Sequence, residues 1–168
     1  SLGNDLDLSY FSELGHVTFY ELTKPEEVPE RIRDADVIIV NKIPMNEATL
    51  SGASHLKLVA LTATGMNNID FDYTNSHGIQ VKNVAGYSTN AVAQHTFALL
   101  FYVLHRLAYY DNYVKSGAYC TNPGFSHFDE KFSELDGKTW GIVGMGAIGQ
   151  RVASIAEAFG CHVIYYST

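Results

Sequence analysis

Thr139-Trp140-Gly141-Ile142-Val143-Gly144-Met145-Gly146-Ala147-Ile148-Gly149 runs an apolar, strand-forming stretch straight into Gly-x-Gly-x-x-Gly. Beyond it, Ile148, Val152, Ile155 and Phe159 recur at helical spacing, Gly160 stands where such a helix would stop, and Cys161 to Tyr166 reads as a second strand. Gly144 permits a tight turn, Gly146 lets a pyrophosphate come close to the backbone, and Gly149 lets the helix lie against the strand. The start of the helix then presents free N–H groups and a partial positive charge to phosphate oxygens. A glycine triplet alone recurs by chance and can serve packing only. A strand, three glycines, a helix and a second strand in that order point to dinucleotide binding by one βαβ half-module.

The end of the second strand departs from the usual pattern. An NAD-type site commonly carries Asp or Glu there, about 20 residues after the glycines, to hold the ribose 2'-hydroxyl. Here Ser167 or Thr168 occupies the place, and the last carboxylate of the chain is Glu157, in the middle of the helix. A serine hydroxyl can donate to a 2'-phosphate that a carboxylate would repel. The expected cofactor is therefore NAD or NADP, with NADP admitted by Ser167.

Working outward toward the N-terminus, β-rich apolar runs at His16 to Leu22, Ala35 to Asn41, Leu56 to Ala63 and Ile79 to Val84 are expected to be strands buried on both faces. Helical patterns separate them at Pro25 to Arg33, Asn46 to Ala53 and Ile69 to Ser76, the alternation of βαβ units around a parallel sheet. No strand candidate precedes His16, so the chain is expected to start one strand late. From Ser88 to about Tyr110 one long helix is expected, with Val92, Phe97, Leu100, Leu104 and Leu107 close to helical spacing. Ser116 to His127, broken by Gly117, Pro123 and Gly124, reads as a loop or linker. The expected division is a first domain over residues 1 to 110, a connecting region at 111 to 136, and an incomplete nucleotide-binding domain at 137 to 168.

Composition limits the function classes. The chain has 168 residues, 46% hydrophobic and 17% charged, enough apolar material for an ordinary core. Eighteen acidic against eleven basic residues give a formal net charge of -7, the wrong sign for a surface that tracks phosphate backbones, so nucleic acid is not an expected partner. The longest apolar run, Phe97 to Leu104, falls far short of the roughly 20 residues that span a bilayer and is expected to be a buried helix. The two cysteines, Cys120 and Cys161, form no Cys-x-x-Cys pair. That suggests neither a disulfide framework nor a metal site, and fits a reducing, cytoplasmic setting. Ser1 to Asp5 lacks the basic flank and apolar stretch of a secretory signal.

Two further motifs join the glycine turn: Thr62-Ala63-Thr64-Gly65-Met66-Asn67-Asn68-Ile69-Asp70, and Asn83-Val84-Ala85-Gly86-Tyr87-Ser88-Thr89-Asn90-Ala91-Val92-Ala93-Gln94-His95-Thr96. In this order and spacing the three resemble successive motifs of the D-isomer-specific 2-hydroxyacid dehydrogenases, with the glycerate dehydrogenase and hydroxypyruvate reductase branch closest. The resemblance covers nearly the whole chain. It implies an α/β protein made of a flavodoxin-like substrate domain and the first part of a Rossmann domain, which reversibly transfers hydride between NAD(P)H and a small 2-oxo acid.

The resemblance also implies roles. Ala63-Thr64-Gly65 would hold the substrate carboxylate on backbone N–H groups, and Thr64 would face the nicotinamide as well. Gly65 is physically suited to this, because no side chain blocks the approach of an anion. Val92 and Thr96 would line the cofactor cleft, and Ala147 and Ile148 would bind the pyrophosphate. A homodimer built on the long helix is implied too, although burial of that helix within one subunit accounts equally for its apolar residues. The family's orienting Arg, and its His with an acidic partner, would lie beyond Thr168. No catalytic residue is therefore assigned, the chain is expected to be truncated at both ends, and alone it is expected to be inactive.

Seven histidines are present, and only His95 lies on the cleft-forming helix. It matches no catalytic position of the family, so a packed or hydrogen-bonded histidine is expected. Two other readings share the architecture. One is a non-catalytic dinucleotide-sensing or corepressor-like module, little supported by an acidic chain without an obvious recognition segment. The other is an adenosylhomocysteinase-like or amino-acid dehydrogenase, against which the Ala63 and Gly86 motifs argue.

Overall fold

A computed structural model describes residues 6 to 167, so the alternative placement at Thr168 lies outside the described residues. The chain divides into two compact units, Ser1–Ala85 and Gly86–Thr168.

The first unit carries a three-stranded parallel sheet in the order β1 (Val37–Val40), β2 (Leu58–Leu61), β3 (Gln80–Lys82). Its register is fixed by Val40 opposite Leu61 and Ala60 opposite Lys82. Helices α1 (Val28–Arg31), α2 (Glu47–Leu50) and α3 (Phe71–Ser76) lie between or before the strands. The last two are capped locally. The Asn46 side chain accepts from the Thr49 N–H at 3.3 Å, alongside the Asn46 carbonyl at 3.1 Å, and the Asp70 side chain accepts from the Tyr73 N–H at 3.0 Å at the start of α3. Val28, Met45, Leu50, Leu56, Val59 and Ile79 form the core.

Three expectations need correction in this unit. The strand expected at His16 to Leu22 does not form. Among the described residues the segment joins no strand ladder, and Phe19, Tyr20 and Leu22 are exposed. It is held from the side instead: the Arg31 guanidinium donates to the Leu22 carbonyl at 2.8 Å and sits 4.3 Å from the Tyr20 ring centre. The helix at Pro25 to Arg33 is a 3-10 turn over Pro25–Glu27 followed by the single turn of α1. The strands are also not buried on both faces. Ile38 and Val40 pack on the core, whereas Val37 and Ile39 are about half exposed, at 51% and 47%.

The second unit begins with α4 (Thr89–Leu104), followed by α5 (Leu107–Lys115) and α6 (Ala118–Thr121). Then come β4 (Thr139–Val143), α7 (Ala147–Ala158) and β5 (His162–Tyr166), with β4 and β5 parallel. The single long helix expected over Ser88 to Tyr110 is therefore two helices. The break falls at Arg106, whose φ of 53° is left-handed, a conformation that costs a non-glycine residue about 1–2 kcal/mol. The expected loop at Ser116 to His127 also contains the turn of α6.

The long helix groups with the nucleotide-binding half-module, not with the first domain as the sequence pattern suggested. Ala93 and Phe97 of α4 are buried in one cluster with Val152 and Ala156 of α7 and Cys161 before β5. Nor is the run Phe97 to Leu104 buried throughout. Phe97 is buried, but Leu99, Tyr102 and Val103 are more than half exposed.

Candidate active site

The second unit builds a turn suited to phosphate. Gly144 ends β4 with φ 93°, which only glycine adopts readily, and its N–H donates to the Tyr166 carbonyl at 2.7 Å, tying the turn to β5. Gly146 is the residue before α7, and the first intrahelical bond runs from the Gln150 N–H to the Gly146 carbonyl at 2.9 Å. The N–H groups of Ala147, Ile148 and Gly149 precede it and point out of the helix start. Gln150 steadies the turn by donating from Nε2 to the Met145 carbonyl at 3.1 Å. A Cβ on Gly149 would overlap the Gly144 carbonyl oxygen, whereas one on Gly146 would meet nothing within 4 Å. Gly149 is thus demanded by packing, and Gly146 fronts open space, as a site for an anion on the backbone requires.

Ser167 follows β5 and is exposed, so its hydroxyl is available at the strand end where a ribose-binding acid is usual. On α4, Val92 is exposed and its carbonyl accepts from the Thr96 hydroxyl at 2.8 Å, while Thr96 is half-buried. His95 is exposed.

In the first unit, Thr64 and Gly65 follow β2 at the carboxyl end of the parallel sheet, where open α/β sheets bind ligands. Both are exposed, and among the described residues neither backbone N–H has a protein acceptor. The loop is nonetheless fixed. The Thr64 hydroxyl donates to the Val84 carbonyl at 3.1 Å, Asn83 Nδ2 donates to the Thr64 carbonyl at 2.7 Å, and the Val84 N–H donates to the Ala63 carbonyl at 3.1 Å. Two free donors on a braced, side-chain-poor loop match the needs of a carboxylate.

Asn83 is a bracing residue that the sequence pattern did not single out, although it opens the second motif. Asn68 is another. Its Nδ2 donates to the carbonyls of Asn41 and Ile43 at 3.1 and 2.8 Å, and its own carbonyl accepts from the Met45 N–H at 2.8 Å. Among the described residues no group of His, Cys, Asp and Glu side chains could hold a metal ion, and no helix is long and apolar enough to cross a membrane.

Parallel α/β units, one with a braced loop of free N–H donors after β2 and the other with a glycine turn at a helix start, define the class: a protein of the Rossmann-related kind. Residues 2–166 match the family described as D-isomer specific 2-hydroxyacid dehydrogenase, catalytic domain, and the chain belongs to it. It is 37% identical over 165 residues to a hydroxypyruvate reductase of Blautia hydrogenotrophica, covering 96% of this chain and 51% of that protein. Among solved structures, an acyclic imino acid reductase in complex with NADPH and D-Arg is 31% identical with a TM-score of 0.81, covering 99% of this chain and 54% of that one. A D-lactate dehydrogenase of Aquifex aeolicus, complexed with NAD and lactic acid, is 33% identical with a TM-score of 0.71, covering 83% and 41%. The chain spans about half the length of the curated relatives it matches.

Proposed function

We propose that the protein is an NAD(P)H-dependent reductase of a small 2-oxo acid, of the hydroxypyruvate or glyoxylate kind, giving the D-2-hydroxy acid. The observation that carries this reading is the occurrence, in one chain, of the braced Thr64-Gly65 anion loop and the Gly144–Gly149 turn. Family membership and the nicotinamide complexes of its structural neighbours support it.

The first unit recognises the substrate carboxylate through the N–H groups of Thr64 and Gly65. The second receives the pyrophosphate on the N–H groups of Ala147 and Ile148 over Gly144, Gly146 and Gly149, with Val92 and Thr96 along the cofactor and Ser167 at the ribose 2' position. When bound, the reduced nicotinamide supplies the hydride for C2. The protein's part is to hold the two reactants in a reactive geometry, which alone can remove a large share of the barrier. Ser167 makes NADP acceptable alongside NAD. The orienting Arg and the His–carboxylate proton donor belong to none of the residues described, and His95 is not assigned to that role. The exposed Leu99, Tyr102, Val103 and Leu107 on α4 and α5 support a homodimer through this surface. A cytoplasmic location is part of the same reading.

The test is loss of nicotinamide absorbance when the whole protein is given hydroxypyruvate or glyoxylate with NADH or NADPH, with a 2-imino acid as the competing substrate. Turnover on the order of 1 per second or faster with a 2-oxo acid is expected. Reduction of the imino acid alone would reject the reading.

A further inference from the structure

Lys42 stands at the apex of a clamped loop beside the anion site. It follows β1, whose carboxyl end adjoins that of β2: Val40 pairs with Leu61, and the Thr62 N–H donates to the Val40 carbonyl at 3.0 Å. The carbonyls on either side of it, those of Asn41 and Ile43, both accept from the single Asn68 amide, three residues beyond Gly65. A parallel bridge from Met45 to Ile69 and the Asp70 N–H bond to the Met45 carbonyl, at 2.8 Å, complete the clamp. Asn68 thus fixes the Lys42 backbone relative to the Thr64-Gly65 loop. The side chain is exposed and, among the described residues, forms no ion pair or hydrogen bond. Next to it Asn41 Oδ1 is a buried acceptor without a donor among the described residues.

We propose that Lys42 is a specificity-determining residue that receives a hydroxyl on C3 of a three-carbon 2-oxo acid, and that Asn68 is the positioning residue which holds it there. The inference rests on the function proposed above and deepens it. With the carboxylate on the loop after β2, Lys42 stands on the loop after the adjacent strand β1, one strand spacing of about 4.8 Å away between backbones, and a C3 hydroxyl is a group that a two-carbon acid lacks. A hydroxyl accepts from the ammonium and can donate in return to Asn41 Oδ1 once that amide rotates toward the surface. A methyl group, as in pyruvate, can do neither.

The whole enzyme is assayed with hydroxypyruvate, pyruvate and glyoxylate, as wild type, Lys42→Met, Lys42→Arg and Asn68→Ala. The ratio of kcat/KM for hydroxypyruvate to that for pyruvate is expected to fall roughly 10- to 100-fold in Lys42→Met, the scale of a hydrogen bond to a charged group, and chiefly through KM. Lys42→Arg is expected to restore part of it, and Asn68→Ala to lower the same ratio in a protein that still melts cooperatively. Equal losses on all three acids, or an unchanged ratio in folded Lys42→Met, would overturn the inference while leaving the reductase reading intact. A wild type that reduces none of these acids would overturn both.

Discussion

Phe97 lies stacked on Trp140, ring centroids 4.9 Å apart and planes within 26° of parallel. The pair joins α4 to β4, and Phe159, just after α7, stacks on the same Phe97 ring with centroids 5.7 Å apart. Three elements therefore meet at one buried phenyl group. Phe97→Ala is expected to destabilise the second unit by about 3–5 kcal/mol, the usual cost of emptying such a position. Because Trp140 is the only tryptophan, its fluorescence in a urea titration reports that unit. An unchanged midpoint would show that α4 does not hold the half-module together.

The last two glycines of the turn are expected to fail differently. Gly149→Ala forces a Cβ into the Gly144 carbonyl and should cost about 1–3 kcal/mol by overpacking. Gly146 has extended dihedrals, φ -73° and ψ -169°, and open space around it, so Gly146→Val should leave the unfolding midpoint nearly unchanged while blocking the phosphate. Binding of NADH and NADPH by the whole protein, measured beside urea unfolding, separates the two. Full cofactor affinity in a folded Gly146→Val protein would make the turn structural only.

Cofactor choice turns on Ser167. With a hydroxyl in place of a carboxylate at the strand end, the whole enzyme is expected to use NADPH to within 100-fold of NADH by kcat/KM, that is, within about 2.7 kcal/mol. Ser167→Asp should shift the preference toward NADH, since the new charge repels a 2'-phosphate and accepts from a 2'-hydroxyl. A wild-type preference for NADH beyond that limit would defeat this expectation.

The glycine turn was legible because its demands are local: a strand, a positive φ, a close approach and a helix start all fall within eleven residues, Thr139 to Gly149. The parallel pairing of β1 to β3 was legible from apolar runs separated by helical patterns. His16 to Leu22 has the composition of a strand but pairs with no strand among the described residues, and strand propensity expresses packing against neighbours more than any intrinsic preference. The allegiance of α4 was not legible, because its apolar spacing is the same whichever element covers it. Asn68 escaped notice for a related reason: the carbonyls it clamps lie 27 and 25 positions away. Only the fold brings them together.

The break between α4 and α5 carries no glycine or proline, and so no sequence signal. Arg106 and the first turn of α5 are tied to Glu130. The Arg106 Nε lies 3.6 Å from a Glu130 carboxylate oxygen, and the Tyr110 hydroxyl donates to the Glu130 carbonyl. Both partners of the ion pair are about half exposed, so the pair contributes little, in the range of 0–1 kcal/mol. Glycine at 106 would lose that pair but escape the left-handed penalty of about 1–2 kcal/mol. Arg106→Gly is therefore expected to be stabilising by up to about 1 kcal/mol, whereas Arg106→Ala, which loses the pair and keeps the strain, should be neutral to destabilising. Urea midpoints of the two variants, followed through Trp140, decide the matter. If Arg106→Gly unfolds at a lower urea concentration than Arg106→Ala, side-chain contacts of Arg106, not backbone strain, govern the break.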